Sequence, residues 1–320
     1  MSPARIAKVG PVVAGCLAVL LLGCGRLGFD LAGDADADAD ASAPADAASL
    51  DGPNPPDAAL GSFSPPTVIA ELSDPVAFDA DATLTADGLE IFFTSDRPGG
   101  PGGKDIWTSS RATPADIWQP PVPVSALSTV AQESAPHVSA DGLTIWLATA
   151  RPGGAGGLDT WTANRPMRTG AWSALVPVVE LNTSGNDNGF AVTASQLVGY
   201  LQSGQELYRT TRSTPADPWS PRVPVTDLNT VDDEENPAPS GDDRIVFFAS
   251  DRPGGAGAAD LYVAIRPSAQ APFDAAVALA ELNAASYDSD PCLGDGLRTL
   301  IFSSNRNGGG QQFDLFEATR

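Results

Sequence analysis

An all-β fold, a five-bladed β-propeller of four-stranded antiparallel blades, is predicted by three features of the 320-residue sequence. The first is a ladder in which an aromatic follows a carboxylate by two residues: Trp107 after Asp105, Trp161 after Asp159, Tyr208 after Glu206, Tyr262 after Asp260 and Phe316 after Asp314. Arg follows four residues later as Arg111, Arg165, Arg212, Arg266 and Arg320, and the steps are 54, 47, 54 and 54 residues. The second is an independent ladder, Phe63, Trp118, Trp172, Trp219 and Phe273, each with Leu nine residues on (Leu72, Leu127, Leu181, Leu228, Leu282). Two ladders with one period identify a repeat architecture. The third is composition: 32 Gly and 29 Pro suit short strands joined by tight turns and disfavour long helices.

The elements follow in chain order. Arg5 and Lys8 precede an apolar run from Val9 to Leu22, whose fourteen residues span about 21 Å as a helix, short of a ~30 Å hydrocarbon core. That is the pattern of a signal peptide over 1–23. The run ends in Leu21-Leu22-Gly23-Cys24, which resembles the bacterial lipobox; the resemblance implies cleavage before Cys24 and its lipidation. Two or more acyl chains give stable anchoring where one does not. With Cys16 leaving in the signal and Cys24 lipidated, Cys292 stands alone and no internal disulfide is expected. Residues 24–62 follow, rich in Asp, Ala and Pro from Asp34 onward. They bury no core and are expected to form a hydrated, disordered tether over 24–62, the strict alternation running from Asp34 to Asp40 and the Ala-, Asp- and Pro-rich stretch on to Leu60.

The propeller is expected over 63–320, in units 63–111, 112–165, 166–212, 213–266 and 267–320. In the second unit Val122 to Val124 reads as one strand and Pro136 to Ser139 as the next. Asp141-Gly142 supplies a two-residue turn, Thr144 to Ala148 a third strand, Arg151 to Gly157 a glycine hairpin, and Asp159 to Ala163 the closing strand. The runs Ser139-Ala140-Asp141-Gly142, Ser95-Asp96-Arg97-Pro98-Gly99-Gly100, Ser250-Asp251-Arg252-Pro253-Gly254-Gly255 and Asp105-Ile106-Trp107 are similar to the repeats of TolB-like, WD-repeat-like propellers. That resemblance implies that Pro136 to Ser139 lies innermost and Val122 to Leu127 outermost. The strand at Thr67 to Leu72 then completes the last blade, which removes the open edges of the fan.

The net charge of −22 disfavours nucleic acid and anionic surfaces and suits a basic partner, a cation or simple solubility. A carboxylate stands six residues after four of the ladder leucines, as Glu133, Asp187, Glu234 and Asp288; the first unit has Asp79 at seven. In four units a hairpin arginine is available to pair with it: Arg97, Arg151, Arg252 and Arg306. The third unit has Gln202-Ser203-Gly204-Gln205-Glu206 instead, which leaves Asp187 without that arginine. A notch is therefore expected there, with Asn186, Asp187 and Asn188 facing a ligand. Asp232-Asp233-Glu234-Glu235, Asp288 with Asp290, and Asp79 with Asp81 add an acidic rim suited to a basic peptide or to Ca²⁺, though no cofactor is required.

Catalysis is not expected. The innermost strands, read as Ala82 to Thr85, Pro136 to Ser139, Phe190 to Thr193, Pro237 to Ser240 and Pro291 to Leu293, carry no Asp or Glu. A glycoside hydrolase needs two or three carboxylates converging in the funnel. The one histidine, His137, and Cys292, which matches it in the repeat, read as channel-lining residues. Function is thus expected to be that of a monomeric, lipid-anchored outer-membrane scaffold binding an envelope protein or ligand through its acidic loop face. A carbohydrate-active enzyme using channel-mouth carboxylates is the alternative, and acids converging in the channel discriminate the two.

Overall fold

The computed structural model describes residues 60–320; Cys24, the signal segment and nearly all of the tether lie outside them. Among the described residues no helix is long and apolar enough to cross a membrane. The strands begin with β1 (Thr67–Val68). The first blade holds β2 (Asp79–Leu84), β3 (Glu90–Ser95), β4 (Asp105–Ser110) and β5 (Val122–Pro123). The second holds β6 (Glu133–Val138), β7 (Thr144–Thr149), β8 (Asp159–Asn164) and β9 (Val176–Pro177). The third holds β10 (Asp187–Val192), β11 (Val198–Ser203), β12 (Glu206–Thr211) and β13 (Val223–Pro224). The fourth holds β14 (Glu234–Pro239), β15 (Ile245–Ser250), β16 (Asp260–Ile265) and β17 (Val277–Ala278). The fifth has β18 (Asp288–Gly294), β19 (Thr299–Ser304) and β20 (Asp314–Thr319).

Each blade is a meander with its first strand innermost, and the fifth is completed by β1 in the order β1-β20-β19-β18. Thr67 pairs with Glu317 and Val68 with Phe316, and Ile69 N–H donates to Leu315 O at 2.8 Å, so the expected closure is present. The outermost strands are two residues long, and three of them end in Pro (Pro123, Pro177, Pro224), which blunts edges that otherwise invite pairing.

Middle strands are buried on both faces, which is why Ile91-Phe92-Phe93, Ile145-Trp146-Leu147 and Val246-Phe247-Phe248 are unbroken apolar runs rather than alternating ones. Successive side chains point to opposite faces. Phe92 therefore packs with Ile145 and Leu147 of the next blade, while Ile91 and Phe93 pack with Ile301 and Leu315 of the previous one.

The two sequence ladders meet in space. Arg111, Arg165, Arg212 and Arg266 lie over Trp118, Trp172, Trp219 and Phe273 at 4.2, 4.4, 4.2 and 4.2 Å, and Arg320 over Phe63 at 5.3 Å. Each of these arginines also donates through Nε to a carbonyl in an inner turn, those of Gly88, Gly142, Gln196, Asp243 and Leu297. A planar guanidinium suits both tasks, stacking on a ring while its edge donates. One arginine thus fastens the inside of a blade to its outside in every repeat.

Candidate functional site

The innermost strands begin about three residues earlier than the sequence suggested, at Asp79, Glu133, Asp187, Glu234 and Asp288. Each of these five acids is fully buried. Each accepts a backbone N–H from its own loop: from Asp74, Thr129, Thr183, Thr230 and Ala284. In four blades the hairpin arginine completes the pairing: Arg97 with Asp79 at 2.6 Å, Arg151 with Glu133 at 3.1 Å, Arg252 with Glu234 at 2.9 Å and Arg306 with Asp288 at 2.6 Å. These arginines also donate to the carbonyls of Leu72, Leu127, Leu228 and Leu282, the leucines of the second ladder. The carboxylates are therefore occupied by internal partners rather than displayed on a rim.

Asp187 has such a partner too. Arg222, from the segment leading into β13, donates to Asp187 Oδ1 at 2.5 Å, to Leu181 O at 2.9 Å and to Ser203 Oγ at 2.9 Å, which reproduces the latch of the other blades from a different place in the chain. Burial pushes the Asp187 carboxyl up, and the bonds from Arg222, Ser203 and Thr183 outweigh it, leaving the group below the ordinary carboxylate range. In Asp79 burial wins and the group lies above that range. Asn186 is exposed and accepts Leu158 N–H at 2.9 Å, whereas Asn188 is half-buried and its Oδ1 is buried without a donor.

Two residues beyond each anchor acid the innermost strand bulges. The residues there are Asp81, Ala135, Gly189, Asn236 and Asp290, with φ of 55°, 46°, 57°, 52° and 53°. The register with the second strand slips at this point in all five blades. Left-handed backbone costs a residue with a Cβ about 1–2 kcal/mol, a cost that Asp and Asn bear more easily than most, so Gly189 is at ease there and Ala135 is the most strained. The bulge recurs in all five blades, so it belongs to the backbone plan of the repeat, and it re-aims whichever side chain it carries.

The bulge turns these side chains toward the axis, where they join into a collar. Asp81 Oδ2 accepts Ala135 N–H at 3.2 Å, and Asp81 N–H donates to Ser303 Oγ at 3.1 Å. Asn236 Nδ2 donates to Asp290 Oδ1. Burial, and then the charge of Asp81 within bonding reach, hold the Asp290 carboxyl well above its usual range. Beside the collar stands Glu235, bonded by the Tyr287 hydroxyl. Burial raises Glu235, Tyr287 pulls it back, and the charges of Asp233, Asp81 and Asp251 raise it further.

Beside Glu235 lies a cluster of three aromatic rings. Tyr287 packs edge-on against Phe313 at 5.8 Å, Phe313 lies 5.4 Å from Phe78, and Lys104 Nζ caps Phe78 at 3.4 Å. All three rings are half-buried.

Below the collar runs a channel of about 470 Å³, ending among Ala86, Ala140, Ala194 and Leu297. Its wall is largely apolar, built from Ala82, Leu84, Val138, Phe190, Val192 and Cys292. His137 lies in it with Nε2 accepting Val192 N–H at 3.1 Å, and burial pushes its pKa down to about 4. Burial also pushes the Cys292 thiol up to about 12, which leaves it a packed, unreactive group. Among the described residues no group of three or more His, Cys, Asp or Glu side chains is placed to hold a metal ion.

Asp81 and Asp290 counted only as rim acids in the sequence, and Glu235 only as one of a run. A bulge is what carries them inward, and their signal is a departure from the repeat: the place holds Asp, Ala, Gly, Asn and Asp in turn. The reading that no innermost strand carries an acid is therefore corrected, since β2, β14 and β18 contain Asp81, Glu235 and Asp290.

No family model and no curated protein sequence matches the chain. Among solved structures it is similar to the α-L-arabinofuranosidase PaAbf62A from Podospora anserina, solved with cellotriose, at TM-score 0.52 and 14% identity over 77% of this chain and 91% of that one. An α-L-arabinofuranosidase from Lactobacillus brevis gives TM-score 0.54 and 10% identity over 79% and 94%. TolB from Acinetobacter baumannii, the kind of propeller the repeats resemble, gives TM-score 0.48 and 12% identity over 76% and 54%. At these identities the likeness is one of fold. The expectation of a non-catalytic protein is overturned nonetheless: glycoside hydrolases stand among its structural neighbours, and carboxylates converge at its axis.

Proposed function

We propose that the chain is a carbohydrate-active propeller that binds a glycan against the collar and cleaves a glycosidic bond there. The observation that carries this reading is the meeting of Asp81, Asp290 and Glu235 from three blades at one end of the channel, with Tyr287, Phe313 and Phe78 clustered beside Glu235. Glycoside hydrolysis requires one carboxyl that holds a proton for the leaving oxygen and one carboxylate on the other side of the bond. Asp290, raised well above its ordinary range by burial and by Asp81, is the proton store, delivered through the Asp81 pair. Glu235, oriented by the Tyr287 hydroxyl, is the second carboxylate. The half-buried rings of Tyr287 and Phe313 supply apolar surface beside Glu235 for a sugar ring. The two solved arabinofuranosidases add to the reading, because the same fold carries glycosidase chemistry in them.

The test is hydrolysis of aryl glycosides and oligosaccharides by the full chain and by Asp290→Asn and Glu235→Gln. Turnover that falls at least a hundredfold in both variants supports the reading. Turnover unchanged in both sinks it. Glycan binding with no turnover returns the scaffold role inferred from the sequence, and the internal bonds that hold Asp290 to Asn236 and Asp81 are the feature that favours it.

The propeller is displayed on the cell envelope, in this reading, by lipid on Cys24 and an acidic tether that holds it off the membrane. Metabolic labelling with an alkyne fatty acid, lost in Cys24→Ser, checks that anchor.

A further inference from the structure

We infer that the axial channel is a second binding site, which takes a neutral acyl chain through the mouth opposite the collar and holds the carbonyl of that chain on His137. The inference stands apart from the glycosidase reading, whose failure leaves it intact.

The mouth lies where each innermost strand turns back into the second. Ala86, Ala140, Ala194, Gly241 and Gly296 stand there, one from each blade, and all but the half-buried Ala140 are exposed. Residues this small leave the axis open at that end. At about 3.3 Å per strand residue, the path from Ala135 at the collar to Ala140 at the mouth is about 17 Å long, and His137 lies about 7 Å from the collar.

Along the wall, one repeat position ties each blade to the blade that follows. Thr83 Oγ1 accepts Val138 N–H at 3.1 Å, His137 Nε2 accepts Val192 N–H at 3.1 Å, and the Cys292 sulfur takes Leu84 N–H. The third blade has Ala191 at this position, and the blade after it presents Pro239, which has no N–H to place. His137 differs from its counterparts in having a second nitrogen. With Nε2 accepting, the neutral ring carries its proton on Nδ1. That N–H has no partner among the described residues, and it is not sealed from the channel that His137 lines. Burial, which holds the pKa at about 4, keeps the ring neutral at pH 7.

A channel of about 470 Å³ with a largely apolar wall and a free N–H partway down has the size and make-up of a small-molecule site, in which one polar group fixes the ligand's register. Charge narrows the class. No Lys or Arg is among the described residues that line it, Asp81 and Asp290 stand at one end, and Asp242 stands at the mouth. A fatty acid carboxylate finds no cation there and is repelled. An ammonium group has no acceptor to offer the imidazole N–H. A carbonyl flanked by aliphatic carbons, as in a fatty amide or ester, answers the wall and the donor together.

The test is titration of the full chain at pH 7 with N-butylhexanamide, N-butylacetamide, hexanoate and N-butylhexylamine. It is read by calorimetry and by NMR of the imidazole, whose signals are unambiguous because the chain has one histidine. N-butylhexanamide is expected to saturate, to shift the imidazole signals, and to bind at least about tenfold more tightly than each of the other three. His137→Thr copies Thr83 of the first blade, so it keeps an acceptor for Val192 N–H while removing Nδ1–H. It is expected to weaken the amide about threefold to tenfold. Ala194→Trp, at the exposed mouth, is expected to weaken it at least about tenfold by blocking entry. Where His137→Thr fails to fold, the imidazole signals of the parent and Ala194→Trp carry the test. Absence of saturable amide binding overturns the site. Binding that leaves the imidazole signals unmoved and is untouched by Ala194→Trp lies elsewhere and overturns it too. Hexanoate or the amine binding more tightly than the amide overturns the neutral acyl class. None of these readouts involves turnover, so this inference and the glycosidase reading fail separately.

Discussion

The anchor acids and the collar lie two residues apart on the same five strands, and they could hardly differ more. At the anchor every blade has a buried carboxylate, a loop N–H and an arginine. At the collar the same geometry is filled by Asp81, Ala135, Gly189, Asn236 and Asp290. What a repeat protein needs five times is mechanical, and identical residues serve it. What it needs once is chemical, and it is written where the repeats disagree. The third blade makes the point from the other side: it lost the hairpin arginine, and Arg222 restored the latch at Asp187 rather than leaving the acid free.

The comparison breaks most visibly in activity. Asp290→Asn is expected to lower kcat/KM by about 10²–10⁴, the range of a lost general acid, with folding unharmed. Its melting temperature rises above neutral pH relative to the parent. A carboxyl whose folded pKa is raised contributes stability below its unfolded pKa and loses it as pH rises through the folded value, and the amide removes that loss. A melting series from pH 5 to 9 reads it; a variant that melts lower throughout contradicts the crowded-acid account.

Anchor substitutions act oppositely, on stability. Arg252→Met strands Glu234 as a buried, unpaired charge and is expected to cost about 3–5 kcal/mol in urea unfolding. Arg222→Met should match it to within about 1 kcal/mol. If it costs next to nothing, Arg222 is no substitute for a hairpin arginine.

The channel below the collar supplies an acid-side effect. His137 has a folded pKa of about 4 against an unfolded value of 6.5, so its contribution is fully present above 6.5 and is lost as pH falls toward 4. That amounts to up to roughly 3 kcal/mol. His137→Gln, which keeps an acceptor for Val192 N–H, is expected to flatten the stability profile between those limits. An unchanged profile places the acid sensitivity elsewhere.

The smallest contrast is again between blades. Asp260 is buried and accepts Gly257 N–H at 3.0 Å in the fourth hairpin, whereas its counterpart Glu206 is exposed and meets only the Tyr208 hydroxyl. Asp260→Ala is expected to cost about 1–2 kcal/mol and Glu206→Ala less than about 0.5, measured side by side.

By itself the sequence determined the number of blades, their four-strand plan and the closing strand, because a period and an alternation are local properties that survive any packing. It also held the four hairpin latches, whose acid and arginine lie 18 residues apart within one hairpin pair. Tertiary structure decided the site. A one-residue bulge reverses which side a strand residue faces, so Asp81 and Asp290 reach the axis against simple alternation, and no pattern along the chain announces it. The collar joins blades that are first and last in the chain, and Arg222 finds Asp187 across 35 residues. The first needs the ring closed, since closure brings the ends of the chain and their carboxylates within bonding distance; the second needs the third blade's sheet formed, which sets the segment before β13 beside β10.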